Sequence, residues 1–196
     1  MKTKTIKLLT FEELNKEQKE KVLDHYRNFN TENLDFNEEY IDLIENDIIP
    51  YFDFEKIEYD LSYSQGSGCR IVINNIKSKS VNLIYTSKHK HYRFLKRLLD
   101  NNMFSVEYNL NSSGHHYTHH NTFYLTYNLD CDLTEEKEKI VEKFVDQLEE
   151  HLKDKSKELE KYLYSILEDL QSDNMISESL IANEYYFNEE TLKIDS

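Results

Sequence analysis

A chain of 196 residues, 38% hydrophobic and 13% aromatic, carries enough apolar side chains for one ordinary folded domain and excludes a disordered acidic tail. Its two isolated cysteines, Cys69 and Cys131, exclude a disulfide framework or a cysteine zinc site and suit a reducing cytoplasm. The net charge of −14 divides sharply, with +6 between Ser64 and Asn128 (Arg70, Lys77, Lys79, Lys88, Lys90, Arg93, Lys96 and Arg97 against Asp100 and Glu107) and −20 over the rest.

The first residues lack the apolar stretch of a signal peptide, and no segment reaches the length of a membrane span, so a soluble cytoplasmic protein is expected. Thr5 to Thr10 reads as a short strand. Asn15 and Gln18 have the spacing of a capping box, which predicts a helix to about Asn28 burying Val22, Tyr26 and Phe29. A second helix is predicted from about Asn37, with Tyr40, Ile41, Ile44 and Ile48 inward, and ends before Pro50 because the residue ahead of proline avoids the helical region. Eleven acids and one base lie between Asn30 and Tyr63, a strongly negative surface.

Lys56 to Ser64 alternates Ile57, Tyr59, Leu61 and Tyr63 and pairs with Cys69 to Ile76 as a hairpin across Gln65-Gly66-Ser67-Gly68. Lys88 to Asp100 predicts a basic amphipathic helix with Tyr92, Leu95, Leu98 and Leu99 inward and His89, Lys90, Arg93, Lys96 and Arg97 mostly outward. Met103 to Leu110 and Asn121 to Leu129 alternate likewise, a second hairpin around a histidine loop. A sheet of about four antiparallel strands follows, packed by helices. Thr134 opens a long helix through Leu170, whose apolar stripe thins over Lys153 to Glu158, so that it projects or bends there. Asp173 is read as the cap of a helix to about Asn183, and Tyr185 to Phe187 with Leu192 to Ile194 forms a small C-terminal hairpin. The fold class is α+β in one domain, 1–196.

The candidate site combines the turn with the histidine loop Gly114-His115-His116-Tyr117-Thr118-His119-His120. Ser64, Gln65, Gly66, Ser67, Gly68, Arg70, His115 and His119 are the candidate ligand-binding residues, with glycine amides, hydroxyls and a guanidinium suited to a phosphate. His116 and His120 as proton donor and acceptor, with Arg70 as the cation, are the candidate catalytic set for phosphodiester cleavage without a metal. Histidine pairs in this loop are close enough for a metal. The loop holds no Asp, Glu or Cys to complete a set, however, and a metal would have to recruit Glu107 or Asp130, so no metal and no cofactor is expected. The bland alternative is a solvent-facing polar hairpin loop. Neither glycine segment fits a Walker A or a Rossmann pattern.

Helix-opening Asn15-Lys16-Glu17-Gln18-Lys19-Glu20-Lys21, the turn Tyr63-Ser64-Gln65-Gly66-Ser67-Gly68, the histidine-rich hairpin before Asn121-Thr122 and the ending Glu178-Ser179-Leu180-Ile181-Ala182-Asn183-Glu184-Tyr185-Tyr186-Phe187 resemble a family of small bacteriophage and prophage proteins over nearly the whole chain. Members often carry an acidic residue where this chain has Ser67, which argues against a metal or charge role for the turn. The resemblance implies an α+β fold and a viral protein working in the host cytoplasm. By analogy with phage accessory proteins, the expected function is direct inhibition of a host defence or nucleic-acid-processing factor, anti-CRISPR-like, with Glu38, Glu39, Asp42 and Glu45 as the partner-binding surface. Two readings compete with it. One is a phosphate-, nucleotide- or RNA-binding protein, or a ribonuclease-like phosphodiesterase, centred on the turn and the basic middle. The other is an antitoxin or regulator that forms a homodimer through the long helix.

Overall fold

The computed structural model describes residues 7–31 and 41–195, apart from the side chains of Ile41 and His115. In chain order the elements are β1 (Leu8–Thr10), α1 (Lys16–His25), α2 (Ile41–Leu43) running into a π-helical turn (Ile44–Ile48), β2 (Phe52–Asp60), β3 (Gly68–Ile76), a 3-10 turn (Ser78–Ser80), α3 (Val81–Ile84), α4 (Tyr92–Asp100), β4 (Phe104–Leu110), a second 3-10 turn (Ser112–His115), β5 (Phe123–Leu129), α5 (Glu135–Leu170), α6 (Asp173–Ala182) and β6 (Tyr186–Asn188). The fold is mixed α+β. Two compact units divide it: Met1–Asp35 with Tyr164–Ser196, and Phe36–Leu163. No helix of the described residues is long and apolar enough to cross a membrane.

In the first unit the predicted capping box is present, with Gln18 N–H donating to Asn15 Oδ1 and Asn15 N–H to Gln18 Oε1, both at 3.0 Å. The expected C-terminal hairpin is present as a bridge between Phe187 and Ile194, with Asn188 N–H on Lys193 O at 3.0 Å and Asp195 N–H on Tyr186 O at 2.9 Å, and the other edge of β6 pairs with β1 (Leu9 opposite Phe187). Phe187 thereby sits in a core of Leu9, Phe11, Leu14, Val22, Ile176 and Leu180. Ser172, rather than Asp173, caps α6, its hydroxyl accepting from Met175 N–H. The carbonyls left over where α5 ends find side chains: Asn30 Nδ2 donates to Leu170 O at 3.1 Å and Arg27 Nη1 to Gln171 O at 3.0 Å.

The second unit is built on β3, whose residues from Gly68 to Ile73 are all buried. β2 pairs antiparallel with it and β4 pairs with β5, so the expected four-stranded sheet is two separate two-stranded ladders. Where β3 meets β4, the side chain of Asn75 takes the place of a backbone acceptor: its Oδ1 receives Ile76 N–H at 2.8 Å and Val106 N–H at 3.2 Å. The earlier half of that same edge is covered by α5. Ser156 Oγ accepts from Ile71 N–H at 3.0 Å, and Glu160 Oε2 receives Cys69 N–H at 3.4 Å. Residues two apart on a strand turn their N–H groups to the same side, so one helix satisfies both.

Of the two alternatives expected over Lys153 to Glu158, the buried Ser156 speaks against projection away from the body of the protein. Ser156 is fully buried, its hydroxyl also donating to Leu152 O at 2.8 Å, and α5 is continuous. The apolar stripe thins there because helix and strand meet through hydrogen bonds rather than methyl groups. On either side the stripe is intact, with Val141, Phe144, Leu148, Leu152, Leu159 and Leu163 all at 0% exposure. The second predicted helix stops at Ile48, and Ile49 N–H donates to Ile44 O in a widened last turn before Pro50. Its start, with Glu38 and Glu39, lies outside the described residues. The basic helix starts at Tyr92, later than predicted, because Thr86 O takes His89 N–H and His89 Nδ1 takes His91 N–H, folding Lys88 to His91 into turns.

Candidate functional site

The two glycine-containing loops of the second unit meet. Gly66 O accepts from Thr118 N–H at 3.0 Å, joining the β2–β3 turn to the histidine loop between β4 and β5. Gly66 has φ +90°, and a Cβ there would lie 2.1 Å from Tyr117 Cδ1, so the Tyr117 ring covers a position that only glycine can occupy. In the other loop, a Cβ on Gly114 would lie 2.2 Å from Thr122 O. At both glycines the close neighbour is another part of the protein itself.

Arg70 joins the loops from beneath. It is 5% exposed. Its Nη1 donates to Gly114 O at 2.9 Å, Thr122 Oγ1 at 2.9 Å and Tyr117 O at 3.3 Å, while Nε donates to Glu58 Oε2 at 2.7 Å and Nη2 bonds the same carboxylate. Glu58 also receives Lys56 Nζ at 2.8 Å. Burial works to raise the Glu58 carboxyl, but hydrogen bonds from Lys56 and Arg70 outweigh it and hold the group below its ordinary value. Arg70 is thus a tie between two hairpins, with its fork spent on protein acceptors.

Above this tie, Ser64, Ser67 and Ser62 form a triangle of hydroxyls, 2.9 to 3.0 Å apart, and Ser67 Oγ also accepts from Ser64 N–H at 2.9 Å. Gln65 stands exposed at the turn and Gly68 is buried at the start of β3. His116 closes the 3-10 turn, its N–H on Ser113 O, with its ring exposed. His115 lies in that turn, its side chain outside the described atoms. His119 and His120 have ring centroids 5.9 Å apart. His120 Nδ1 is 3.3 Å from Glu160 Oε2, and His119 Nδ1 accepts from Asn121 N–H at 3.2 Å. Burial first, then the neighbouring His120 and Arg70, hold His119 below its ordinary value despite the pull of Glu160. Cys69 is buried, and burial with the Glu160 charge pushes its thiol up, away from nucleophilic chemistry.

The structure therefore brings Arg70, the turn and the histidine loop together, yet turns the cation inward. Tyr117, already within the predicted loop, joins the cluster, and Glu58, Thr122, Ser156 and Glu160 complete it without having been among the candidate residues. Only Glu58 left a local signal, lying on the strand predicted to pair with Arg70's strand. Of the acidic residues expected to meet a partner, Asp42 and Glu45 are exposed, and no cation of the described residues pairs with either. Among the described residues no group of three or more His, Cys, Asp or Glu could hold a metal. Comparisons of the chain with protein-family models, curated proteins and solved structures found no match.

Proposed function

We propose that the chain is a non-enzymatic binding protein of phage type that engages a basic site on a host protein, a defence effector or nuclease, through its acidic helical surface. The burial of Arg70 carries this choice. Phosphodiester cleavage at the turn needs a cation facing the developing charge, and Arg70 is committed to Glu58, Gly114, Tyr117 and Thr122 instead. Asp42 and Glu45, exposed and paired with no cation of the described residues, favour with the rest of the eleven-acid run a basic partner. The long helix lends less to a homodimer or antitoxin, since its apolar stripe from Val141 to Leu163 is already buried.

The test is charge reversal of Glu38, Glu39, Asp42 and Glu45 to lysine, with binding to purified CRISPR nucleases and other host effectors measured for both proteins. Loss of a complex that the unaltered chain forms supports the reading. Unchanged binding by the reversed variant overturns it, as does cleavage of labelled RNA, DNA or cyclic nucleotides by the unaltered chain.

A further inference from the structure

A cavity in the Phe36–Leu163 unit is lined by none of the loop residues described above. Its volume is about 310 Å³, and it is lined by Tyr85, His89, Lys90, His91, Lys139, Ile140, Lys143 and Gln147. Three lysines and two histidines line it, with no carboxylate, in a chain of net charge −14. The arrangement is built rather than incidental. Lys139, Ile140, Lys143 and Gln147 recur at helical spacing on α5, so one face of that helix forms one wall. The turn between α3 and α4 forms the other. There the Tyr85 ring stacks on His89 at 4.3 Å between centroids and 13° between planes, and Tyr85 Oη donates to Gln147 Oε1 at 3.0 Å, tying the walls together.

We propose that this cavity binds a small phosphorylated ligand, with Lys90 and Lys143 holding its phosphoryl dianion and His89 and His91 as further donors. Lys139 is drawn to Glu135 at 2.6 Å, whereas Lys90 and Lys143 pair with no carboxylate of the described residues. His89 Nδ1 accepts from His91 N–H at 3.3 Å, which leaves its Nε2 as the proton-bearing nitrogen. The volume suits a small ligand rather than a lone water. Tyr85 already stacks on His89 and Phe144, so the ring is a wall and recognition rests on the phosphoryl group.

His91 gives the site a pH signature. Burial, Lys90, His89 and Lys143 hold His91 below its ordinary value, and Lys139, paired with Glu135, is the other lysine that lines the cavity. A bound dianion reverses that balance, so the His91 pKa rises on binding and affinity, expressed per dianion of ligand, rises as pH falls.

The experiment titrates the full chain with inorganic phosphate and, separately, with adenosine monophosphate, at constant ionic strength, following the histidine ring resonances. Saturable shifts at His89 and His91 are expected, weakened about tenfold in Lys143→Met or Lys90→Met and unchanged in Lys157→Met, which keeps the cavity and removes a distant charge. Tighter binding of the nucleotide identifies a nucleotide as the ligand, and equal binding identifies free phosphate or a simple ester. Absence of saturable shifts, shifts insensitive to Lys90 and Lys143, or binding confined to a single-stranded oligonucleotide would overturn the proposal. The acidic-surface reading is untouched by any of these outcomes.

Discussion

Arg70 on β3 and Gly114 in the histidine loop are 44 positions apart, and a 2.9 Å hydrogen bond from the guanidinium to the glycine carbonyl holds them together beneath the surface. Lysine at position 70 keeps the charge but has no fork to reach Glu58, Gly114 and Thr122 at once. Arg70→Lys is expected to lose about 3 kcal/mol of stability, read by chemical denaturation. Glu58→Gln should lose a similar amount, because it strands the buried guanidinium without its carboxylate. Stability equal to that of the unaltered chain in both variants would show that the tie is dispensable.

Gly66→Ala is expected to cost about 2 kcal/mol, since alanine at φ +90° is strained and its methyl meets the Tyr117 ring. The diagnostic readout is local. Amide exchange at Thr118, whose N–H is held by Gly66 O, should accelerate before that of the β3 amides does.

Ser156→Ala removes the acceptor of a buried strand N–H. Loss of about 2 kcal/mol is expected, with faster exchange at Ile71 and Cys69 than elsewhere in β3. A neutral result would mean that α5 does not protect that edge.

Three histidines make stability fall on the acid side. His91, His119 and His151 are each held below the ordinary value of 6.5, in every case first by burial. The unfolded chain therefore takes up protons first, and the stability that their neutral forms contribute is complete above 6.5 and lost as pH falls through the lower folded values. Glu58, held below its ordinary 4.5, adds a further loss at more acid pH. His151, half-buried, with an enclosed Nε2 that bonds none of the described residues and a ring stacked near Phe52, is the clearest contributor. His151→Phe should flatten the decline, gaining more at pH about 5 than at pH about 8 relative to the unaltered chain. Parallel pH profiles for the two proteins would refute this.

Local chemistry was legible along the chain. Asn15 with Gln18, Pro50 after Ile48, the alternation on either side of each loop and the periodicity from Glu135 to Leu170 specify elements because capping, proline sterics and side-chain period act between near neighbours. The chain has only three glycines, and at Gly66 and Gly114 another part of the protein approaches closely. Which groups approach them was not legible. Arg70 reads in sequence as one of eight cations in a basic stretch, and its inward turn depends on Glu58 across the ladder and on carbonyls of a loop that only folding brings near. Likewise, Lys153 to Glu158 reads as solvated because its link to β3 runs through one serine hydroxyl, 85 positions from the amide that it receives. Hydrogen bonds between distant groups leave no period in the chain, so the direction in which Arg70 points was decided by tertiary structure alone.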